Sequence, residues 1–337
     1  MKKPFKVILG LLFLIIIAFA VFVILASKPV PTGTDEIIAK VFSTGVPEQI
    51  YGDTGYVSSG EVSIWYESIQ PKSKPKGTIL LIMGLGGNAM EWPLYFTEPL
   101  VEAGYHVIRF DNRGTGLSTW PDKDFSILEM KEDAIAVLDA LDVKEAHVLG
   151  MSMGGMIGQL MAFEHPERVQ SLISFMSSGY TDDPDLPSIS RLSYLSLIAT
   201  GIRHGIPLSE KNTIRTTVSV RSVMTPTLSE KRIMSLAEQS LYNLRFRKGF
   251  NPRAFIQHTK AVRNSGSRYA GLKNINIPVL VIHGKQDPLI PVEHAMKMAK
   301  IIPNSKILLL DGMGHDVSPE HTPIIHKAVL EFLDLKK

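Results

Sequence analysis

Short apolar segments alternate with amphipathic segments from residue 55 to the end of the chain, with one interruption. Seven apolar or β-branched segments are typical of strands in a parallel sheet that is covered on both faces. The predicted strands are Val62–Tyr66, Thr78–Met83, His106–Asp111, His147–Met151, Leu172–Met176, Val279–His283 and Lys306–Leu310. The predicted helices are Leu94–Ala103, Leu128–Leu141, Gly154–Glu164, Val292–Ile301 and Ile324–Leu335. This alternation predicts an α/β fold with a doubly wound, mostly parallel sheet.

The interruption lies between residues 181 and 270. Pro184 and Pro187 interrupt the alternating pattern there. Predicted helical segments such as Glu230–Leu244 follow, without a strand pattern. We predict a helical lid over the carboxyl edge of the sheet, inserted into a core formed by residues 55–180 and 271–337. Residues 28–54 are rich in Pro, Gly and Thr and are predicted to be a tether and lead-in.

The N-terminal segment, residues 1–27, contains three lysines followed by Val7–Ala26, twenty residues that are apolar apart from one glycine. As a helix this run would be about 30 Å long, the thickness of a bilayer's hydrocarbon core. The pattern predicts a single-pass transmembrane anchor at the cell membrane, with the rest of the chain outside the cytoplasm by the positive-inside rule. The alternative is a secreted protein whose signal peptide is cleaved after Ala18-Phe19-Ala20 or after Ser27. Cleavage at the first site would leave Val21–Leu25 as an apolar new terminus, which favours the anchor.

The amino-acid composition excludes several kinds of functional site. The chain contains no cysteine, so disulfides, a thiol nucleophile and thiolate metal sites are excluded. The net charge is only +3, which gives no indication of nucleic-acid binding. The predicted lid is more unusual, with fourteen Lys/Arg against six Asp/Glu. Solvated helix faces would explain this excess, whereas a basic lid that attracts anionic lipids or acidic substrates is the alternative.

Gly150-Met151-Ser152-Met153-Gly154 joins a predicted strand to a predicted helix. A serine on such a tight turn sits in a strained backbone conformation, and only glycine leaves room on either side of it. The turn would expose the Ser152 hydroxyl at the carboxyl edge of the sheet. Because Gly-x-Ser-x-Gly also occurs by chance, its surroundings must decide between a nucleophile and a simple helix cap.

A serine hydroxyl needs a histidine as base, and the histidine needs a carboxylate to orient it. Asp287 and His315 each follow a buried strand in the order Ser, Asp, His, so all three loops should meet at one sheet edge. Taken singly, Asp287 could open a turn before Pro288 and His315 could bind a loop carbonyl. The weaker rivals are the histidines His283, His294 and His321 and the acids Asp311 and Asp316.

The oxyanion formed during acyl transfer needs two preorganised donors. We predict that these are the N–H groups of Met153, which follows the nucleophile, and of Leu85, in the loop after the second predicted strand. That loop also supports a rival interpretation, since Gly84-x-Gly86-x-x-Ala89 matches a relaxed dinucleotide-binding fingerprint, with Asp111 further along. A phosphate-binding helix should begin within the glycines, whereas here prolines follow soon after.

Together these motifs resemble the α/β-hydrolase family. The resemblance covers about residues 55–180 and 270–337, and it is carried by the Ser152 turn, by Phe110–Ser118, by His283–Pro288 and by Gly312–Asp316. The details are similar to the branch containing aclacinomycin-type methylesterases and proline iminopeptidase-like hydrolases. Met83 and Met151 depart from this branch, because many members have histidine at these two positions.

The resemblance implies a serine hydrolase that needs no metal and no cofactor. We expect a membrane-anchored, carboxylesterase- or lipase-like enzyme that acts on a small ester or lipid through an acyl-enzyme. A peptidase of the proline iminopeptidase type or a C–C hydrolase could use the same residues. A dinucleotide-binding protein and a non-enzymatic receptor are the remaining alternatives. The acyl and alcohol groups, the oligomeric state and the motion of the lid stay open.

Overall fold

A single eight-stranded sheet organises the protein, in the order β1-β2-β4-β3-β5-β6-β7-β8. The computed structural model describes residues 2–205 and 209–334, with side chains from residue 10 onward. Strand β2 is antiparallel to both β1 and β4, and the other neighbours are parallel, which confirms the predicted mostly parallel sheet. The strands are β1 (Asp53–Ser59), β2 (Val62–Ile69), β3 (Thr78–Ile82), β4 (His106–Phe110), β5 (Ala146–Met151), β6 (Val169–Phe175), β7 (Val279–Gly284) and β8 (Lys306–Leu310).

Helices cover both faces of this sheet. They are α1 (Lys2–Ala26), α2 (Thr34–Thr44), α3 (Leu94–Glu102), α4 (Ile127–Ala140), α5 (Met153–Glu164), α6 (Arg191–His204), α7 (Glu210–Met224), α8 (Glu230–Phe246), α9 (Pro252–Asn264), α10 (Tyr269–Leu272), α11 (Val292–Ile301) and α12 (Thr322–Asp334). Helices α4, α5 and α11 pack in one apolar cluster, and α3 and α12 pack in another. The last predicted helix was expected to reach Leu335, which lies outside the described residues.

Strand β1 was not predicted from the sequence. Its residues, Asp53–Ser59, alternate between exposed and partly buried positions at the edge of the sheet. Because this edge strand buries little apolar surface, the sequence carries almost no hydrophobic signal for it. Its pairing with β2 therefore depends on backbone hydrogen bonds that composition does not reveal.

Helix α2 was likewise not identified in the lead-in. Its residues Ile38 and Val41 are each only 1% exposed. They pack with apolar residues of α7 and α8, namely Ile214, Val218, Ile233, Leu236, Ala237 and Leu241. Residues between β6 and β7 thus form a small second core together with the lead-in.

Helix α1 corresponds to the segment predicted to be a transmembrane anchor. In the part of the chain that the structure describes, no helix combines the length and apolar character required for a crossing. This finding contradicts the predicted single-pass transmembrane helix, and with it the location at the cell membrane.

Residues 181–270, here called the insertion, carry an excess of positive charge that the structure explains. Seven of its basic residues form ion pairs with acids outside the insertion. These residues are Lys211, Arg215, Arg221, Arg232, Arg247, Arg253 and Lys260, and their partners are Asp35, Glu91, Asp111, Asp122, Asp124 and Asp316. Much of the positive charge therefore attaches the insertion to the rest of the molecule.

Candidate active site

Ser152 lies between the end of β5 and the start of α5, with φ 55° and ψ −120°. A positive φ at a residue with a side chain costs about 1–3 kcal/mol and persists only where the surroundings impose it. Here the Ser152 N–H donates to the carbonyl of Phe175 at 2.8 Å, and the Ser177 hydroxyl donates to the carbonyl of Ser152 at 2.7 Å. The Ser152 side chain makes no capping hydrogen bond to α5, so the structure does not support the helix-cap interpretation.

The glycines on either side of Ser152 are required by close backbone contacts. A Cβ at Gly150 would lie 2.2 Å from the carbonyl oxygen of Gly154, and one at Gly154 would lie 2.0 Å from that of Ile82. Neither contact is possible for a side chain. The Gly-x-Ser-x-Gly pattern is therefore explained by the tight turn between β5 and α5.

Asp287 and His315 form a hydrogen-bonded pair. His315 Nδ1 lies 2.6 Å from Asp287 Oδ2, and both side chains are buried. The other carboxylate oxygen of Asp287 accepts from the N–H groups of Leu289 at 2.8 Å and Ile290 at 2.9 Å. Asp287 thus builds the local turn and contacts the imidazole at the same time. Because the carboxylate only accepts, it favours a proton on Nδ1 and leaves Nε2 free to act as a base.

The loops that carry Ser152, Asp287 and His315 follow β5, β7 and β8 and emerge at the same edge of the sheet. The structure shows no hydrogen bond between the Ser152 hydroxyl and the His315 ring, both of which belong to the described part of the chain. The His315 loop is itself held in place, because its N–H donates to the carbonyl of Met224 at the end of α7, at 2.7 Å. The insertion therefore fixes one side of the candidate site.

Each rival residue has another partner. The rival histidines lie beside backbone carbonyls: His283 Nε2 at 2.8 Å from Ile290 O, His294 Nε2 at 2.9 Å from Pro187 O, and His321 Nε2 at 2.9 Å from Asp311 O. His294, in α11, is only 2% exposed. The rival acids form ion pairs, Asp311 with Lys285 and Asp316 with Arg232. His283 Nε2 also lies 3.4 Å from Asp287 Oδ2, and burial lowers its pKa.

The two amides predicted to bind an oxyanion belong to Met153, which follows Ser152 directly, and to Leu85, in a loop that approaches Ser152 at Gly84. Met153 is the first residue of α5, so its N–H belongs to the amides at a helix N-terminus that have no acceptor within the helix. Leu85 follows Gly84, whose backbone approaches the nucleophile so closely that an added Cβ would lie 3.1 Å from Ser152 Cβ. Asn112 supports this loop by donating to the carbonyl of Met83 at 2.9 Å.

The same loop does not have the form of a dinucleotide site. The glycines lead into a short 3₁₀ turn at Ala89–Glu91, and helix α3 begins only at Leu94. The Ala89 N–H donates to Asp111 at 2.9 Å. Asp111 is fully buried and also pairs with Arg247, so it is not free to bind a ribose.

Sequence reasoning missed His258, which lies in α9 and contacts this loop. The Gly86 N–H donates to His258 Nδ1 at 3.0 Å across a separation of 172 residues. A histidine in an amphipathic helix gives no local signal of such a contact. Asn251 behaves similarly, since its side chain donates to the carbonyl of Gly114 at 2.9 Å.

Asp316, the residue after the candidate base His315, belongs to a buried ion pair. Arg232 Nη2 lies 2.6 Å from Asp316 Oδ1, and Arg221 Nη1 lies 3.3 Å from the same oxygen. Burial by itself would raise the pKa of Asp316, but the guanidinium groups of Arg232 and Arg221 lower it below its usual value. The pair joins α8 of the insertion to the loop of His315.

Arg232→Met is expected to lower the free energy of unfolding by about 3–5 kcal/mol, because it leaves a buried carboxylate without its main partner. Arg245→Met is a matched control in the same helix, where the paired Arg245 and Glu210 side chains are 38% and 41% exposed. That control should cost about 1 kcal/mol or less. Urea denaturation measures both, and equal losses would contradict the importance assigned to the buried pair.

Among the residues that the structure describes, no group of three or more His, Asp or Glu side chains is arranged to hold a metal ion. A serine at a sheet edge, a carboxylate-oriented imidazole and two nearby amides are the parts that acyl transfer requires.

Comparison with known sequences identifies the family of this chain. The family described as the alpha/beta hydrolase fold matches residues 77–322. The rhodomycin D methylesterase of Streptomyces sp. (strain C5) is 30% identical over 287 residues, which cover 78% of this chain and 92% of that protein. The 2-hydroxy-6-oxononadienedioate/2-hydroxy-6-oxononatrienedioate hydrolase of Cupriavidus pinatubonensis is 29% identical over 261 residues, covering 76% of this chain and 86% of that protein.

Solved structures show the same fold. The esterase from Exiguobacterium antarcticum superposes with a TM-score of 0.67 at 20% identity, covering 84% of this chain and all of that one. The enol-lactonase from Burkholderia xenovorans gives a TM-score of 0.64 at 18% identity, covering 83% of this chain and all of that one. Both similarities support the fold alone. The family match over residues 77–322 shows that the chain belongs to the α/β-hydrolase family, and the methylesterase and hydrolase relatives show with it that the chain is a hydrolase.

Proposed function

We propose that the protein hydrolyses carboxylic esters, with Ser152 as nucleophile, His315 as general base and Asp287 as the group that orients the imidazole. The observation that carries this proposal is the 2.6 Å contact between His315 Nδ1 and Asp287 Oδ2, at the sheet edge where Ser152 sits in its strained turn. A buried carboxylate against Nδ1 is what a histidine needs in order to accept a proton at Nε2.

In the proposed reaction, His315 Nε2 takes the proton of the Ser152 hydroxyl while the oxygen attacks the ester carbonyl. The N–H groups of Leu85 and Met153 stabilise the oxyanion of the tetrahedral intermediate. Collapse of this intermediate breaks the bond to the alcohol, which leaves with the proton from His315. A water molecule then transfers a proton to His315 and attacks the acyl-enzyme, releasing the acid and regenerating Ser152.

The hydrogen bond from Ser152 to His315 is expected to form when substrate binds. Catalytic hydrogen bonds are often long or poorly aligned without substrate and tighten in the Michaelis complex. The proposal requires that rotation of the partly buried Ser152 side chain brings its hydroxyl to His315. The proposal therefore depends on two groups that are fixed in place, Asp287 and His315, and on reorientation of the Ser152 hydroxyl.

Two relatives suggest which compounds to test. One is a methylesterase, which supports esters of a small alcohol, and the other is a hydrolase of oxo-dienedioates. Cleavage of a carbon–carbon bond in the second class could use the same three residues, so it is the second candidate function. The loop geometry at Leu85 and Met153 suits both, because each reaction passes through an oxyanion.

The test is a substrate panel that varies one group at a time. It contains methyl esters of acids with short, long and aromatic acyl groups, the corresponding amides, and a 2-hydroxy-6-oxo-dienoate. The highest kcat/KM is expected for an ester, with activity lost in Ser152→Ala. Turnover of the oxo-dienoate alone would replace esterase by carbon–carbon hydrolase activity, and turnover independent of Ser152 would overturn both.

A further inference from the structure

His258 lies inside the insertion yet contacts the loop beside the nucleophile. Its side chain is completely buried in α9. Nδ1 accepts a hydrogen bond from the Gly86 N–H at 3.0 Å, and Nε2 lies 2.9 Å from the carbonyl oxygen of Arg113. Because an amide N–H only donates and a carbonyl only accepts, the proton must be on Nε2 and Nδ1 must be bare.

The surroundings keep His258 neutral. Burial lowers its pKa to about 4, and the nearby Arg113 guanidinium also disfavours a charged ring. The Phe125 ring packs edge-on against the imidazole, with 5.6 Å between the centroids. At neutral pH the ring therefore stays an acceptor towards Gly86.

The turn that receives this hydrogen bond carries the Leu85 amide. The Gly87 N–H donates to the carbonyl of Gly84 at 3.2 Å, which orients the peptide unit joining Gly84 to Leu85. His258 orients the next peptide unit, which joins Leu85 to Gly86. Both units that meet at Leu85 are thus held, one from within the loop and one from the insertion.

The backbone conformation at the next residue of the turn favours glycine. Gly86 has φ +73°, a conformation that other residues adopt at a cost. Glycine also has the greatest conformational freedom of any residue, so this turn needs an external contact to stay in one conformation. A Cβ at Gly86 would lie 3.2 Å from Phe255 of α9, so the same helix also covers the turn.

We propose that His258 is a positioning residue for the oxyanion hole: by accepting the Gly86 N–H, it holds the turn so that the Leu85 N–H is directed at the carbonyl attacked by Ser152. This inference rests on the proposed serine-hydrolase function. It assigns the insertion a role in building the site, in addition to covering it.

The experiment compares His258→Leu with His258→Gln in the full chain. Leucine fills the space but cannot accept, so kcat per titrated active site should fall about 10²-fold, the effect of losing one oxyanion donor, with little change in KM. Glutamine has a carboxamide that can accept from the Gly86 N–H and donate to the Arg113 carbonyl. The kcat of His258→Gln should therefore be at least about tenfold higher than that of His258→Leu. An alkylboronic acid, whose adduct with serine places an oxygen in the oxyanion hole, should bind more weakly to His258→Leu in proportion.

His326→Leu is the matched control. His326 is buried, and its Nε2 lies 2.8 Å from the carbonyl of Phe96 in α3. Its replacement should lower stability without changing kcat per active site. Equal losses of kcat in His258→Leu and His326→Leu would show a merely structural role and overturn the proposal.

Nitrogen NMR of the unsubstituted protein, labelled with ¹⁵N-histidine, provides a measurement that does not depend on a variant folding. His258 should show a protonated Nε2 and a bare Nδ1 at pH 7, and the proposal is overturned if Nδ1 carries the proton. Unchanged kcat in His258→Leu, together with an inactive Ser152→Ala, would also refute the role of His258 while leaving the proposed hydrolysis intact. Full activity in Ser152→Ala would instead refute the proposed function itself.

Discussion

Replacing Asp287 by asparagine is expected to lower kcat by about 10³- to 10⁴-fold, because it reverses the tautomer of His315. The asparagine oxygen can still accept from Leu289 and Ile290, so the turn should keep its shape. Its amide group would then face His315 Nδ1 and donate to it. The ring proton would move to Nε2, the atom that has to accept the proton of Ser152.

The comparison for Asp287→Asn is Asp311→Asn. Asp311 follows β8 directly and was a rival acid in the sequence, but its side chain is 80% exposed and pairs with Lys285. Its replacement should leave kcat unchanged. Steady-state kinetics on both variants, with thermal unfolding to confirm the fold, measures the difference. If Asp287→Asn retains more than about a tenth of kcat, Asp287 is not the orienting carboxylate.

Replacing Ser152 by alanine is expected to lower kcat by at least about 10³-fold. The substitution removes the attacking oxygen, and residual activity would come only from the oxyanion amides and from substrate binding. Stability should hardly change, because the Ser152 side chain makes no capping hydrogen bond to α5. A fluorophosphonate probe, which labels activated serines, should accordingly fail to label this variant.

For Ser126→Ala we expect the opposite result from Ser152→Ala, namely a loss of stability without a loss of kcat. The Ser126 hydroxyl accepts from the Glu129 N–H at 3.2 Å and begins α4 as part of a capping box. Its loss should cost about 1 kcal/mol of stability while leaving kcat unchanged. Comparison of Ser152→Ala with Ser126→Ala, at two serines that each precede a helix, would thus separate a loss of kcat from a loss of stability. Labelling that persists in Ser152→Ala would locate the reactive group elsewhere.

Much of the fold could be predicted from the sequence, because buried parallel strands leave continuous apolar runs. The predicted strand at Val279–His283 differs from β7 (Val279–Gly284) by one residue, and the one at Lys306–Leu310 matches β8. Strand β1 was missed because an edge strand buries little. The predicted membrane span was wrong, because no helix among the described residues combines the length and apolar character that a crossing requires.

The candidate site was less evenly predictable. A strand end is visible in the sequence, so Ser152, Asp287 and His315 could be placed at one sheet edge, and their catalytic roles stay predictions. The buried pair of Arg232 with Asp316 was not visible, although the charge excess of the insertion was. Counting charges identified the imbalance but not the partners, since the partners lie in distant parts of the chain.

The sequence by itself determined the alternation of strands and helices, the tight turn around Ser152 and the order of the three loops. Each of these depends on properties of neighbouring residues, such as apolar periodicity and the absence of a side chain at glycine. Only the tertiary structure decided that Asp287 lies 2.6 Å from His315, closer than the 3.4 Å that separates it from His283, and that His258 binds the Gly86 N–H. Such contacts form between segments far apart in the chain, where distance and direction in space, not local pattern, select the partner.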